Sequence, residues 1–144
     1  MKKYPKRKTG SGVDRYGRNE LINYVIENNI KRINKLLKKG SDVNCKDDNG
    51  WTPLHFASQE FNEEIIELLL NNGADPNAQD INGNTPLSTA LFNCKGAETK
   101  IFDLFKNKGG NPEIKNNHGV STLDTAEQVT NFDLKKHFPE YFKK

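Results

Sequence analysis

Three histidines and two cysteines are the side chains of this sequence best suited to bind a metal ion or to act as a base or nucleophile. Cys45 and Cys94 are not separated by a spacing typical of metal ligands. His55 likewise has no cysteine, aspartate or second histidine at such a spacing from it. The sequence also shows no nucleophile with a neighbouring base, no phosphate loop and no carboxylate pair. It therefore predicts a protein that is not an enzyme and that needs no metal or cofactor.

The single tryptophan suits a different kind of chemistry, the burial of a large side chain in a partner protein. Trp51 directly follows Gly50, at the tip of a predicted turn that the core does not need. Tryptophan is enriched among the residues that dominate binding energy at protein interfaces. We therefore expect an exposed Trp51 to anchor a partner. The alternative is that its ring folds back and packs over a neighbouring unit.

The elements that must position these residues repeat along the chain. Gly17, Gly50 and Gly83 follow one another at intervals of 33 residues, and Gly40 and Gly73 keep the same spacing. A repeat of this length is typical of a solenoid, in which each unit buries its apolar face on its neighbours. Because a thin solenoid needs little core, a chain with only 33% apolar residues can still fold in this way.

Each unit begins with the same succession of signals. An Asp or Asn lies three residues before the turn glycine, and a residue suited to cap a helix lies two residues after it. A leucine and a second small or apolar side chain follow at the spacing of one helical face. A second helix then ends at Gly40, Gly73 or Gly109, and Pro139 is expected to end the fourth. The leucines in register are Leu21, Leu54, Leu87 and Leu123.

Two runs within this pattern resemble the signature runs of ankyrin repeats. They are Thr52-Pro53-Leu54-His55 and Gly73-Ala74-Asp75-Pro76-Asn77-Ala78. In the neighbouring units, Thr85-Pro86-Leu87-Ser88 and Gly40-Ser41-Asp42-Val43-Asn44 match the same family signatures in phase, with single changes. The resemblance covers residues 14 to about 138. It implies an all-α ankyrin-repeat solenoid of about four helix–turn–helix units joined by β-hairpin-like loops. It also implies that His55 forms hydrogen bonds within its repeat and orders the turn.

We expect a basic, flexible tail at residues 1–13 and a repeat domain at 14–144, with units at about 14–46, 47–79, 80–115 and 116–144. The first and last units depart from the pattern and suit caps that show one face to water. The third unit carries three extra residues within 93–99, between its helices. Phe61 stands where the family usually has a glycine, so either that turn differs or Asn62 takes the positive φ.

The resemblance also implies where a partner binds, because ankyrin repeats use their turn tips and inner helices to line a concave groove. The side chains at these positions are a mixture of aromatic, amide and acidic groups without the clustered Lys and Arg of a phosphate-binding surface. The positions at the turns are Tyr16, Arg18, Asp48, Asn49, Trp51, Ile81, Asn82, Asn84 and His118, and those on the inner helices are Gln59, Glu60, Phe92 and Asn93.

The charge is unevenly placed along the chain. The net charge is +3, but residues 1–13 carry five cations and no acid, which leaves −2 for residues 14–144. The tail could contact nucleic acid or an acidic partner, or it could be a solvated terminus. No apolar stretch approaches the length of a membrane span, and the basic start lacks the apolar core of a signal peptide. We expect a cytoplasmic protein with free thiols.

The sequence therefore predicts a non-enzymatic protein-binding module, with a nucleic-acid or membrane partner not expected. Its small size, Asn- and Lys-rich composition and Asn116-Asn117-His118-Gly119 turn resemble those of bacterial ankyrin-repeat proteins found beside secreted toxins. The resemblance implies an immunity protein that binds and neutralises a cognate toxin, as a monomer or as a heterodimer with its partner. The alternatives are an adaptor or effector scaffold and a nucleic-acid accessory protein that uses the basic tail.

Overall fold

A computed structural model describes residues 13–94, 100–128 and 134–142. Within these ranges the chain forms seven α-helices and two 3-10 turns. The 3-10 turns are Leu134–Lys136 and Pro139–Phe142. The helices are α1 Glu20–Ile26, α2 Ile30–Lys38, α3 Pro53–Gln59, α4 Glu63–Asn71, α5 Pro86–Asn93, α6 Ile101–Asn107 and α7 Thr122–Gln128.

The helices stack in two rows. The inner row runs α1, α3, α5, α7, each helix packed on the next, and α4 packs on α6 in the outer row. In the first two units the inner helix also packs on its outer partner, α1 on α2 and α3 on α4. The expected all-α repeat solenoid is confirmed.

The predicted caps start the inner helices. Asn19, Thr52 and Thr85 each accept a hydrogen bond from the backbone three residues on, and Ser121 does the same for Asp124. Pro53 and Pro86 occupy the first turns of α3 and α5, where a missing N–H leaves no helical bond unmade. The turn chemistry of the sequence thus sets where each inner helix begins.

The core lies between the two rows and is most complete in the middle of the array. Leu54, Leu87 and Ala90 are fully buried on the inner row, where each such leucine contributes about 1.5–3 kcal/mol. In the first unit Tyr24 is only partly buried, and in the last unit Leu123 is only partly buried. Both end units therefore keep an incompletely covered face, as the sequence predicts for caps.

The backbone at Phe61 differs from both of the alternatives that the sequence left open. Phe61 itself has a positive φ of 50°, as Asn28 does at the equivalent position of the first unit, whereas Asn62 has a φ of −88° and caps α4. The left-handed conformation costs a residue other than glycine about 1–2 kcal/mol. The Phe61 ring lies 6.1 Å from that of Phe102 and packs against the core, which offsets this cost.

The loops after the outer helices are joined by asparagine side chains. Asn44 accepts a hydrogen bond from the Asp75 backbone at 2.8 Å and donates one to the Gly73 carbonyl at 3.2 Å. Asn77 bonds Asn111 and Gly109 in the same way, at 2.8 and 3.0 Å. This repeated clamp explains why asparagine recurs at a fixed distance after the helix-ending glycine.

The expectation that Pro139 ends a fourth outer helix is wrong. The described part of this region has a 3-10 turn at Leu134–Lys136, and Pro139 begins a second such turn. Proline suits this first position because its φ is fixed near the helical value and its N–H is not needed there. Residues 1–12, 95–99, 129–133 and 143–144 are outside the described ranges, and with them nearly all of the predicted tail and most of the predicted insertion.

Candidate protein-binding surface

Each turn tip is organised by the carboxylate or amide at its first position. Oδ1 of Asp47 accepts hydrogen bonds from the backbone N–H groups of Asn49 and Trp51, both at 2.9 Å. Asp80 holds Asn82 and Asn84 in the same way, at 2.8 and 2.9 Å. Two bonds from one oxygen fix the turn, so its exposed side chains project from a rigid backbone. Asp14 and Asn116 repeat the pattern in the outermost turns.

Neighbouring turn tips are also joined through the backbone. The Asp48 N–H donates to the Tyr16 carbonyl at 2.9 Å, and the Ile81 N–H donates to the Asn49 carbonyl at 3.0 Å. The approach is so close that a Cβ atom on Gly83, whose φ is +80°, would lie 2.8 Å from the next turn's backbone nitrogen. These bonds align the predicted contact residues in a continuous row.

The residue after the turn glycine contacts the next turn in the first three units. The Trp51 Nε1–H donates to Oδ2 of Asp80 at 2.9 Å, and Asn84 Oδ1 accepts from the Asn116 side chain at 3.0 Å. Arg18 Nε lies 4.0 Å from Oδ2 of Asp47. Arg18, Trp51 and Asn84 therefore link successive units, in addition to any contact they make with a partner.

The expectation of an exposed Trp51 is wrong. Its side chain is half-buried, and its ring centroid lies 4.9 Å from that of Phe56 and 5.5 Å from that of His55. The ring folds back because its N–H reaches the buried carboxylate of Asp80, and a buried carboxylate needs such a donor. The packing alternative therefore describes its position, and a contact of Trp51 with a partner stays a prediction.

His55 is buried and joins two units. Its Nε2 lies 2.9 Å from the Asn84 carbonyl, so Nε2 carries the hydrogen, and Nδ1 accepts the Thr52 backbone N–H at 3.1 Å. Burial lowers the pKa of His55 below its ordinary value of 6.5, so the ring is neutral at physiological pH. The implied hydrogen bonds within the repeat are present, and a bond to the next unit is added.

The remaining predicted contact residues differ in what they offer. The side chains of Asp48, Asn49, Asn82 and His118 are exposed at the turn tips. Gln59 and Glu60 are exposed at the end of α3, beside a shallow pocket of about 200 Å³ that Arg18 and Phe56 also line. The first half of this surface is therefore polar, with the Arg18 guanidinium 5.1 Å above the Phe56 ring.

Apart from Tyr16, which is 39% exposed in the first turn tip, the apolar part of the surface lies at the third and fourth units. Ile81 is 60% exposed at its turn tip and Phe92 is 61% exposed on α5, while Asn93 is half-buried and bonds the Thr89 carbonyl at 2.7 Å. Burial of exposed side chains of this size in an interface gives the largest gain in binding free energy. Asn84, Phe92 and His118 also line a groove of about 240 Å³ between the two units.

Val120 belongs to this groove and was missed by the sequence prediction. It is 39% exposed and lies one residue after Gly119, at the position that Trp51 and Asn84 occupy in earlier turns. Among the described residues no following turn tip is present for it to contact, so it faces the groove. The repeat register alone could have found it, because its position is equivalent to predicted contact positions.

Where the structure describes the chain, the groups that could support other chemistry do not come together. Among the described residues, no cluster of three or more His, Cys, Asp or Glu side chains could hold a metal ion. Cys45 and Cys94 are free, and burial raises the pKa of the Cys45 thiol to about 11, which keeps it protonated and poorly nucleophilic. The helices of the described ranges include none with the length and apolar character to cross a membrane.

Comparison with known proteins identifies the family. A model of ankyrin repeats, in three copies, matches residues 21–116. The chain is 45% identical over 49 residues to the 2-5A-dependent ribonuclease of Mus musculus and 43% identical over 49 residues to the potassium channel AKT1 of Arabidopsis thaliana. It is 45% identical over 47 residues to the protein VAPYRIN-LIKE of Medicago truncatula.

These matches cover 33%, 34% and 33% of the chain but only 7%, 6% and 10% of the respective relatives. The similarity is thus confined to a short repeat segment of much longer proteins. The family model, in contrast, spans most of the chain, so the chain belongs to the ankyrin-repeat family. Ankyrin repeats are a protein–protein interaction module.

Proposed function

We propose that this ankyrin-repeat chain is a non-enzymatic binding module whose protein partner occupies its inner face, meaning the turn tips together with the exposed side of the inner helices. The observation that carries the proposal is the placement of its exposed large hydrophobic side chains. Within the described residues these are Tyr16, Ile81, Phe92 and Val120, all on the inner face. None belongs to α2, α4 or α6.

The inner face is also prepared for binding by its backbone. The turn tips are fixed by the paired hydrogen bonds to Asp47 and Asp80 and by the bonds between successive turns. A surface that is already ordered loses little conformational freedom when a partner binds, so more of the contact energy appears as affinity. The polar half near Arg18 and Glu60 would set orientation, and the apolar half near Phe92 would supply most of the binding energy.

The finer proposal is that the partner is a toxin domain and that the chain is a bacterial immunity protein acting in the cytoplasm. It rests on the likeness of the sequence to ankyrin-repeat proteins found beside secreted toxins, and on two free thiols. The relatives found are from mouse and plants and share only a repeat segment, so they support the fold and not this role. In this mechanism the chain covers the toxin's active site as a one-to-one complex.

The alternatives are an adaptor or effector scaffold and a nucleic-acid accessory protein. An adaptor would use the same inner face to hold a partner without blocking an activity. A nucleic-acid accessory protein would depend on cations, and its binding would weaken steeply with salt. An immunity protein would instead protect a host cell in which the partner is toxic, and an adaptor would not.

Site-directed photocrosslinking tests the surface while the partner is still unidentified. A photoreactive phenylalanine analogue is placed at Phe92, and at Glu64 on the outer helix α4 as a matched exposed control. We expect one protein to be captured from the source cells at position 92 and not at position 64. Capture of the same protein at position 64 alone would overturn the proposed surface.

The captured protein then tests the finer proposal. It is expressed in a bacterial host with and without this chain, and growth is measured. The immunity mechanism predicts growth arrest by the partner alone and rescue by the chain. A partner that is harmless by itself would leave the binding surface in place and would contradict the immunity role.

A further inference from the structure

The beginning of the chain, which comprises the tail and most of the first unit, differs from the remainder in charge. Residues 1–41 contain twelve Lys and Arg against three Asp and Glu, whereas residues 42–144 contain ten against sixteen. The beginning of the chain therefore carries +9 and the remainder −6. This is a large separation of charge within one small protein. The binding proposed for the inner face does not depend on it.

The positive charge of the described residues is concentrated on the outer helix α2. Five cations lie within this helix and at its C-cap, and all of them are exposed. At 100° per residue they fall within an arc of about 120°, along about 12 Å of helix axis. We name this stripe the basic ridge. It consists of Lys31, Arg32, Lys35, Lys38 and Lys39.

The part of the chain that the structure describes does not neutralise the basic ridge with ion pairs. Lys100, on the same outer side of the array, lies 3.0 Å from Glu67 and 3.6 Å from Glu63. Among the described residues, no acid pairs in this way with Lys31 or Lys35, although Glu20 lines a shallow depression beside Lys35. The ridge therefore presents its charge to solvent.

The helix itself does not explain this arrangement. Cations near a helix C-terminus are stabilised by the helix dipole, which accounts for Lys38 and Lys39. Lys31 and Arg32 lie in the first turn, where the dipole disfavours a positive charge. Lys31 and Lys35 are also a like-charge pair four residues apart, which destabilises an isolated helix. The N-terminal part of the ridge is thus unfavourable for folding and gains by contact with an anion.

The chemistry around the ridge selects among anions. A membrane-binding helix presents apolar side chains to the lipid, but Ile30, Leu36 and Leu37 of α2 pack against the core. Five charges over about 12 Å give one positive charge per 2–3 Å, which is close to the one negative charge per ~1.7 Å along duplex DNA. The basic ridge therefore matches a nucleic-acid backbone in linear charge density.

We propose that the basic ridge of α2 is a sequence-independent docking surface for the phosphate backbone of a nucleic-acid duplex. It is separate from the inner face, so a protein partner and a duplex can be bound at the same time. The contacts are phosphate contacts by lysine and arginine, which position a protein on a duplex without reading bases.

The test is a fluorescence-anisotropy titration of a labelled DNA duplex of arbitrary sequence with the full chain, over a series of salt concentrations. The variant Lys31→Gln/Lys35→Gln removes two charges from the ridge. The matched control Lys108→Gln/Lys115→Gln removes two exposed charges from the negatively charged part of the chain. All four side chains are exposed, so both variants should keep the melting temperature of the wild type.

We expect the ridge variant to bind at least tenfold more weakly at ~0.1 M monovalent salt, with the slope of log K against log salt reduced by about 2. The control should bind like the wild type. Equal losses of DNA affinity in both variants would show that binding depends only on overall charge. Unchanged affinity in the ridge variant would show that the tail binds the duplex. Either result overturns the proposal. Tighter binding to polyglutamate or to phosphatidylserine vesicles than to the duplex would also overturn it.

Discussion

The inner and outer faces of the array rest on the same core but present opposite chemistry. The inner face exposes Ile81, Phe92 and Val120 from turns and a helix that are fixed by hydrogen bonds between units. The outer face exposes charge, positive on α2 and negative in the first turn of α4, where Glu63 and Glu64 lie. One face can bury apolar surface against a partner, and the other can attract an oppositely charged one.

This difference shows which positions of a repeat are free to carry function. Leu54 and Leu87 are buried between units, so their identity is set by packing. Phe92 lies on α5, the same helix as Leu87, but points to solvent, and nothing in the fold requires an aromatic side chain there. The exposed positions can therefore vary from unit to unit while the array stays the same.

The largest expected effect comes from the core that both faces share. Leu54→Ala should lower the free energy of unfolding by about 2–5 kcal/mol, because a fully buried leucine leaves a cavity between neighbouring units. Gln59→Ala, at the exposed end of the same helix, should change it by no more than about 0.5 kcal/mol. Urea denaturation of both variants measures the contrast, and near-normal stability of Leu54→Ala would disprove the register of the inner row.

Trp51→Ala should give the next largest loss and would show how far the inner face depends on links between units. We expect the free energy of unfolding to decrease by about 2 kcal/mol, because the substitution removes both a half-buried ring and its hydrogen bond to Asp80. Trp51→Phe keeps most of the ring contact and should lose only about 1 kcal/mol. If Trp51→Ala instead keeps the wild-type melting temperature and loses partner affinity, the tryptophan is a binding anchor and not a structural link.

Acidification should have a smaller effect on the free energy of unfolding. It acts through His55, the buried side chain that joins two units beneath the inner face. The lowered pKa of His55 keeps the folded ring neutral, while the unfolded ring takes up a proton near pH 6.5. The unfolded state therefore binds more protons as pH falls below about 6.5, and stability decreases in that direction. At higher pH the contribution of His55 is fully present.

The measurement is the free energy of unfolding between neutral and mildly acidic pH for the wild type, His55→Gln and the control His118→Gln, whose side chain is exposed. The His55 variant should be less stable at neutral pH but should show a flatter pH dependence. An unchanged slope in His55→Gln would assign the acid sensitivity to other groups.

The sequence could predict the elements of this fold because each is set by local chemistry that repeats. Gly50 and Gly83 do take a positive φ, and Thr52 and Thr85 do cap their helices. Features that depend on packing between units could not be predicted. Phe61 keeps the left-handed backbone that Asn28 also has at this position, and no local pattern indicates that its bulky ring finds a place near Phe102.

The candidate site shows the same limit. The repeat register located Ile81 and Phe92 correctly as exposed positions, since it specifies which side of a turn or helix faces solvent. It placed Trp51 in solvent because nothing in one unit reveals that the carboxylate of Asp80, 29 residues further along, accepts its N–H. Val120 was missed although the register alone identifies it.

The most direct test of the central claim compares partner affinity across the two faces. Phe92→Ala/Val120→Ala changes the inner face, and Glu64→Ala/Asn71→Ala changes exposed positions of the outer face. With the partner captured at position 92, isothermal titration calorimetry should show a loss of at least ~2 kcal/mol, or roughly thirtyfold, for the inner pair and none for the outer pair. Unchanged affinity of the inner pair, with the fold intact, would contradict the assignment of the inner face as the protein-binding surface.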